Sequence, residues 1–177
     1  VIKTLRGYTV QDLGSRVRVL WSGAEYRGRG RDTNWKGKVS FGGASIRRFE
    51  KINAWNHDRP FEQQGADSIV FDAITTGNFG GFDAWLDEGQ GGDLSITTNL
   101  GGMNLPLNEV GFDDAVMEAG GLERRITAFR LPEKNACREI TAEIEVPITA
   151  GRDNPLWICV TTEDGFQAWS SPIYVFQ

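Results

Sequence analysis

Histidine is nearly absent from this chain: His57 is the only one among 177 residues. Catalytic metal centres and Ser-His catalytic sites both draw on histidine, usually together with carboxylates or cysteine. The sequence also has no serine in a nucleophile-elbow pattern and no glycine-rich phosphate loop followed by lysine. We therefore expect a chain that is not itself an enzyme, with no cofactor, no bound metal and no catalytic residue. His57 is predicted to be a surface or turn residue.

Cysteine and long apolar runs are also scarce. Two cysteines, Cys137 and Cys159, do not indicate a disulfide framework, and free buried thiols are expected. No apolar run approaches the roughly 18 residues of a membrane span, so no membrane contact is predicted. Val1 stands where a natural gene product begins with Met, which predicts that the chain is a piece of a longer protein.

Glycine, by contrast, is abundant, with 22 residues, or about 12% against a usual share of about 7%. Short runs of alternating apolar and polar residues lie between the glycines, which is typical of strands joined by tight turns. No internal repeat or linker divides them. The sequence therefore predicts an all-β fold: one antiparallel β-sandwich domain over residues 1–177, with about ten strands and at most one or two short helices.

The alternation also predicts which side chains face the core. Val19 is expected to face inward from a strand over 16–21, and Phe41 from a strand over 35–41. The spacing of apolar residues over 46–55 favours a strand with a bulge. Further strands are predicted over 68–75, 82–86, 93–99, 103–107, 125–131 and 140–148, with Ile144 and Val146 buried in the last.

The C-terminal run 155–177 has the pattern of a hairpin. Glu163, Asp164 and Gly165 suit its turn, which would place Cys159 opposite Trp169. Both faces are largely apolar, so the hairpin is predicted to be a central pair of strands, with Trp157 and Trp169 buried. Residues 112–119, with acidic residues first and glycines after, are the best candidate for a helix.

Charge is distributed unevenly along the chain, although the net charge is only −5. Residues 1–59 hold thirteen Lys and Arg against five Asp and Glu, and residues 60–177 hold six against nineteen. Complementary strands that face each other inside one domain would explain this pattern. A basic face that meets an anionic partner or an acidic domain is the alternative. Nucleic acid is not a predicted partner.

Three polar stretches and one tryptophan are candidate sites. Arg27, Arg29 and Arg31 alternate with glycines, and guanidinium groups on such a loop suit an anionic partner or small molecule, although a solvated loop is the simpler interpretation. The stretch 87–93 could offer oxygens to calcium but lacks the spacing of a calcium loop, and the acidic pair 113–114 suits helix capping. Trp55 is the tryptophan least explained as core, and its ring could stack on a sugar.

The residues Gln167-Ala168-Trp169-Ser170-Ser171-Pro172-Ile173-Tyr174, preceded by 160–165, resemble the closing signature of PHP-type metal-dependent phosphoesterase-like proteins. The resemblance is to the bacterial group of PHP-related proteins known as a domain of unknown function. Stretches 5–8, 21–31 and 76–83 are similar to the C-terminal region of the same family. In that family the metal ligands lie on His-x-His motifs of an N-terminal barrel, and none of them can be placed here.

The resemblance implies that this chain is the C-terminal accessory β-domain of such a protein. It would be a non-catalytic interaction domain that packs beside the catalytic domain of the same parent chain and helps to bind an anionic substrate. The alternative function is a carbohydrate-binding module that uses Trp55.

Overall fold

The computed structural model describes residues 4–27, 30–87, 91–134 and 136–175, except for the side chains of Tyr26 and Arg27. Its contacts divide the chain into two compact units. The first, Thr9–Lys134, is called the sandwich unit below. The second joins the N-terminal residues Val1–Tyr8 to Asn135–Gln177 and is called the C-terminal unit.

The sandwich unit is built from short antiparallel strands. Its first six strands are β1 (Leu13–Ser22), β2 (Tyr26–Arg27), β3 (Gly30–Arg31), β4 (Thr33–Gly42), β5 (Ile46–Ile52) and β6 (Phe61–Gln64). They are followed by β7 (Ser68–Thr75), β8 (Phe79–Leu86), β9 (Asp93–Thr98), β10 (Gly101–Pro106), β11 (Ala115–Glu118) and β12 (Arg125–Pro132). Single 3₁₀ turns lie at Val10–Asp12 and Leu107–Glu109. No helix in the described ranges is long and apolar enough to span a membrane.

Ten of these strands form two five-stranded antiparallel sheets, in the orders β11-β12-β1-β8-β5 and β10-β9-β4-β7-β6. The predicted all-β sandwich of about ten strands is thereby confirmed. The bulge predicted in the third long strand is also present, since the register of β5 against β8 shifts between Ile46 and Arg48.

The core lies between the inner faces of the two sheets. Val19 and Trp21 of β1 face it from the first sheet, and Trp35 and Phe41 of β4 face it from the second; all four are fully buried or nearly so. This is the alternation that the sequence predicts, because every second residue of a strand points to the same side.

An aromatic cluster fills one region of this core. The ring of Trp21 stacks on that of Phe71, with centroids 4.2 Å apart and an angle of 5° between the planes. Phe61 meets Trp21 edge to face at 5.4 Å, and Phe82 lies 6.3 Å from it. Stacked and edge-to-face geometries are the favourable ones for aromatic pairs, so the cluster joins strands of both sheets.

Arg130 of β12 binds the segment 107–110, which lies between β10 and β11 outside the two sheets. Its guanidinium donates hydrogen bonds to the carbonyl oxygens of Val110 at 2.7 Å, Leu107 at 2.8 Å and Gly14 at 3.0 Å. Burial lowers the pKa of Arg130 from its ordinary value, because the charged form loses contact with water. The three carbonyl oxygens compensate part of that loss.

The prediction of a helix over 112–119 is wrong. Residues Ala115–Glu118 are instead the edge strand β11, in which Met117 pairs with Ile126 of β12. The acidic residues 113–114 therefore precede a strand, and the helix-capping interpretation of them is wrong as well. Pairing with β12 outweighs the helix preference of Ala, Met and Glu, which amounts to only a few tenths of a kcal/mol per residue.

The described residues of the C-terminal unit form four short strands in two separate ladders. β13 (Asn154–Leu156) pairs with β16 (Ile173–Val175), and β14 (Cys159–Thr161) pairs with β15 (Gln167–Trp169). Cys159 lies opposite Trp169, as predicted, and Gly165 has the positive φ of 91° that the turn requires.

The burial predicted for this unit is wrong. Trp157 and Trp169 are 54% and 66% exposed, and Ile144 and Val146 are also exposed. The hairpin is a two-stranded ladder of its own rather than a central pair, and residues 136–153 contain no strand. Neither cysteine forms a disulfide, as predicted, but the predicted burial is wrong for both, since Cys137 is only partly buried and Cys159 is exposed. Alternation alone does not bury a strand, because burial needs a second apolar layer opposite it.

Candidate functional site

The loop between β5 and β6 presents Trp55 to solvent, with 67% of the residue exposed. The loop begins at Asn53, which has an unusual positive φ of 50°. The Asn53 side chain compensates this strain by donating from Nδ2 to the carbonyl oxygen of Phe79 at 3.1 Å. The Trp55 amide in turn donates to the carbonyl oxygen of Asn53 at 3.1 Å. Trp55 is thus held on a loop that is anchored to the start of β8.

Beside this loop lies an open cleft of about 430 Å³, called the Trp55 cleft below. Gly80 of β8 and the buried Trp21 form part of its wall. A Cβ atom at Gly80 would lie only 2.9 Å from Nε1 of Trp21. The missing side chain at Gly80 therefore leaves room at the indole edge of Trp21, and the volume falls within the range of ligand pockets.

An ion pair between Arg59 and Asp72 lines another side of the Trp55 cleft. Arg59 Nη1 binds the carboxylate of Asp72 and also donates to Oδ1 of Asn34 at 3.3 Å. The Asp72 amide donates to the carbonyl oxygen of Pro60 at 2.7 Å, which ties the loop to β7. Both side chains are only partly exposed, at 34% and 25%, so their polar atoms are fixed where they meet the cleft.

The Trp55 cleft therefore combines the exposed ring of Trp55 with side chains that donate and side chains that accept hydrogen bonds. Asn53 and Asn56 carry amide donors and acceptors, and His57 lies exposed in the turn before Arg59, where the sequence predicts a surface or turn residue. Such a cleft can bind a small polar molecule that has one flat apolar face. Trp55 was a sequence candidate, but Asp72 and Gly80 were not, because only strand pairing brings them to the loop.

The arginine-rich segment forms a short ladder, in which Tyr26 pairs with Arg31 and Arg27 with Gly30. Arg29 and the side chain of Arg27 lie outside the described residues, so contact of Arg27, Arg29 and Arg31 with an anionic group stays a prediction. The possible calcium loop 87–93 lies partly outside them too. In the described ranges, no group of three or more His, Cys, Asp or Glu residues could hold a metal ion.

The structure contains a buried ionic network that was not predicted from the sequence. The carboxylate of Asp83 on β8 accepts from Arg18 Nε at 2.7 Å, from Arg18 Nη2 at 2.8 Å and from Arg16 Nη2 at 2.5 Å. The three residues are 2–8% exposed. This network, with the pairs Arg59–Asp72 and Arg47–Glu133, joins basic residues of the first third of the chain to acidic residues that follow. These contacts pair part of the basic surplus of residues 1–59 with acidic residues of the same unit.

Among the described residues, the two carboxyl groups with a lowered pKa both lie outside the cleft lining. Hydrogen bonds from the Thr9 amide and hydroxyl lower the pKa of Asp12. At Glu133, partial burial raises the pKa, but the hydrogen bonds from Ser15 and the charges of Arg47 and Arg16 together bring it below the ordinary value of 4.5. Both shifts are explained by local structural contacts rather than by a reaction centre.

Replacing Glu133 by Gln should remove a contribution to stability that depends on pH. Since the pKa of Glu133 is lower in the folded chain than in the unfolded chain, its contribution is present above the unfolded value of about 4.5 and is lost as the pH falls through the folded value. The difference in melting temperature between the wild type and Glu133→Gln should shrink below about pH 4.5, as thermal unfolding by circular dichroism would measure. A difference that is constant with pH, or equal to that of the exposed control Glu62→Gln, would contradict this.

The fold and the site together define a β-sandwich protein with an open cleft beside the loop that joins β5 and β6. The cleft is lined in part by aromatic residues. Comparison of the chain with family models, with curated proteins and with solved structures gives no match.

Proposed function

We propose that the chain is a non-catalytic accessory domain that packs beside the metal-dependent catalytic domain of a PHP-type phosphoesterase-like protein. The observation that carries the proposal is the apolar surface of the C-terminal unit. In the sandwich unit the exposed large apolar residues are Val10, Trp55, Val116 and Leu122. The other twelve among the described residues all belong to the smaller C-terminal unit: Leu5, Ile140, Ile144, Val146, Ile148, Trp157, Ile158, Val160, Phe166, Trp169, Ile173 and Tyr174.

Such a density of exposed apolar side chains is unusual for a protein that works alone, where large contiguous apolar patches mark contact surfaces. The ladders β13-β16 and β14-β15 have two strands each, and an isolated pair of strands is only marginally stable in water. A folded partner that covers these residues would stabilise the unit and remove the apolar surface from water.

The partner is assigned from the resemblance of residues 167–174 to the closing signature of the PHP-type family. Those residues include β15, and three of them, Trp169, Ile173 and Tyr174, are among the exposed apolar residues of the C-terminal unit. The catalytic domain of the same parent chain is thus the proposed occupant. Arg27, Arg29 and Arg31 are the proposed contact for an anionic group of that domain or of its substrate, and no residue of this chain has a catalytic role.

Replacing Ile158 by Asp should weaken docking to that catalytic domain by about thirtyfold or more, because a charge at a buried apolar contact costs at least about 2 kcal/mol. Ile158 is 60% exposed in the C-terminal unit. The measurement is calorimetric titration of this chain with the separately produced catalytic domain encoded in the same gene. Val116→Asp, at an exposed apolar position of the sandwich unit, is the matched control and should bind as the wild type does.

Three results would refute the proposal: a gene that encodes no His-x-His domain beside this chain, a wild-type chain that does not bind that domain, or equal losses for Ile158→Asp and Val116→Asp.

A further inference from the structure

Trp55 is exposed and does not belong to the hydrophobic core cluster. The other aromatic residues around the cleft, Trp21 and Phe61, are buried and belong to the core cluster. Trp55 lies instead on a loop whose backbone is held by hydrogen bonds at Asn53. A held loop that keeps an indole face in water is a preorganised stacking surface, because little conformational freedom is lost when a ligand binds.

The polar groups beside Trp55 are suited to hydroxyl groups. Each hydroxyl both donates and accepts a hydrogen bond, so a molecule with several hydroxyls needs donors and acceptors close together. The Trp55 cleft has the amides of Asn53 and Asn56, the imidazole of His57, and the paired guanidinium and carboxylate of Arg59 and Asp72.

The charges of the Trp55 cleft are partly compensated from within. Arg59 is paired with Asp72, whereas Lys51 keeps its charge and places Nζ 5.2 Å from the centroid of the Phe61 ring, in cation–π contact. A phosphate or carboxylate ligand would have to compete with Asp72 for Arg59. A neutral ligand meets no such competition.

We propose that the Trp55 cleft binds a neutral saccharide, with the C–H face of a sugar ring stacked on Trp55 and its hydroxyls bonded to Asn53, Asn56, His57 and the Arg59–Asp72 pair. Sugars have this combination of a flat apolar face and a ring of hydroxyls, and about 430 Å³ is within the range of small-molecule pockets. Saccharide binding at the Trp55 cleft does not depend on docking through the C-terminal unit.

The test is native affinity electrophoresis of the full chain in gels that contain soluble starch, mixed-linkage β-glucan, galactomannan or arabinoxylan, with heparin as an anionic comparison. At least one neutral polysaccharide should retard the wild type, and Trp55→Ala should weaken that retardation by about tenfold or more. Trp169→Ala is the matched control, since Trp169 is 66% exposed against 67% for Trp55, and it should be retarded as the wild type is.

Each other outcome overturns the inference. These are no retardation by any of the four neutral polysaccharides, retardation by heparin alone, or equal losses in Trp55→Ala and Trp169→Ala. Because Trp55 is exposed, Trp55→Ala should unfold at the wild-type temperature, which separates lost binding from lost folding. A negative result here leaves docking of the C-terminal unit unaffected, and a failure of docking leaves saccharide binding unaffected.

Discussion

Replacing Asp83 by Ala is expected to lower the free energy of unfolding by about 3–5 kcal/mol, because it removes a carboxylate that accepts hydrogen bonds from two buried guanidinium groups. Arg16 and Arg18 both donate to Asp83, and all three residues are almost fully buried. Without the carboxylate, the two positive charges would repel each other where water can hardly screen them. Urea unfolding followed by circular dichroism measures the change.

The control for this prediction stands on the neighbouring strand. Glu50 of β5 is the register partner of Asp83 and pairs with Arg48, but its side chain is 49% exposed and that of Arg48 is 57% exposed. Glu50→Ala should cost at most about 1 kcal/mol, as is usual for exposed ion pairs. If Asp83→Ala costs as little as Glu50→Ala, the network around Asp83 does not stabilise the sandwich.

Replacing Trp21 by Ala should by itself lower the free energy of unfolding by about 3–5 kcal/mol, which is typical when a buried aromatic side chain is truncated. Trp21 is 1% exposed, stacks on Phe71 and meets Phe61 edge to face, so its removal opens a cavity between the two sheets. Urea unfolding gives the loss of stability, and the near-ultraviolet circular dichroism of the aromatic cluster should decrease with it.

Trp55→Ala serves as the comparison, because it removes the same side chain from an exposed loop. Its expected cost is within about 0.5 kcal/mol, as for ordinary surface substitutions. Similar costs for Trp21→Ala and Trp55→Ala would mean that Trp21 does not hold the two sheets together.

The strands of the sandwich were predictable because their chemistry alternates. In β1 and β4, apolar residues such as Val19 and Phe41 take every second position, and a strand turns every second side chain to the same face. The 112–119 segment was not predictable from its own composition, since its strand exists only through pairing with β12. Local preference decides little where a neighbouring strand has backbone groups to pair.

In the C-terminal unit, the pairing of strands could be predicted from the sequence, but the burial of their side chains could not. The opposition of Cys159 and Trp169 followed from the turn at Gly165, which is a local feature. The burial of Trp169 did not follow, because it depends on a layer that the local sequence does not specify. The Trp55 cleft shows the same division: Trp55 itself could be selected as the tryptophan least explained as core, whereas Asp72 and Gly80 reach it through the arrangement of β7 and β8.

The position of β1 has a consequence for synthesis on the ribosome. β1 pairs on one side with β8 and on the other with β12, the last strand of the sandwich unit. At the usual rate of about 5–20 residues per second, the interval between translation of Leu86 and of Pro132 is roughly 2 to 9 s. For that time one edge of a long apolar strand has no partner in the nascent chain, and such edges readily pair with other chains. The growing polypeptide is therefore expected to need chaperone protection until β12 has left the ribosome.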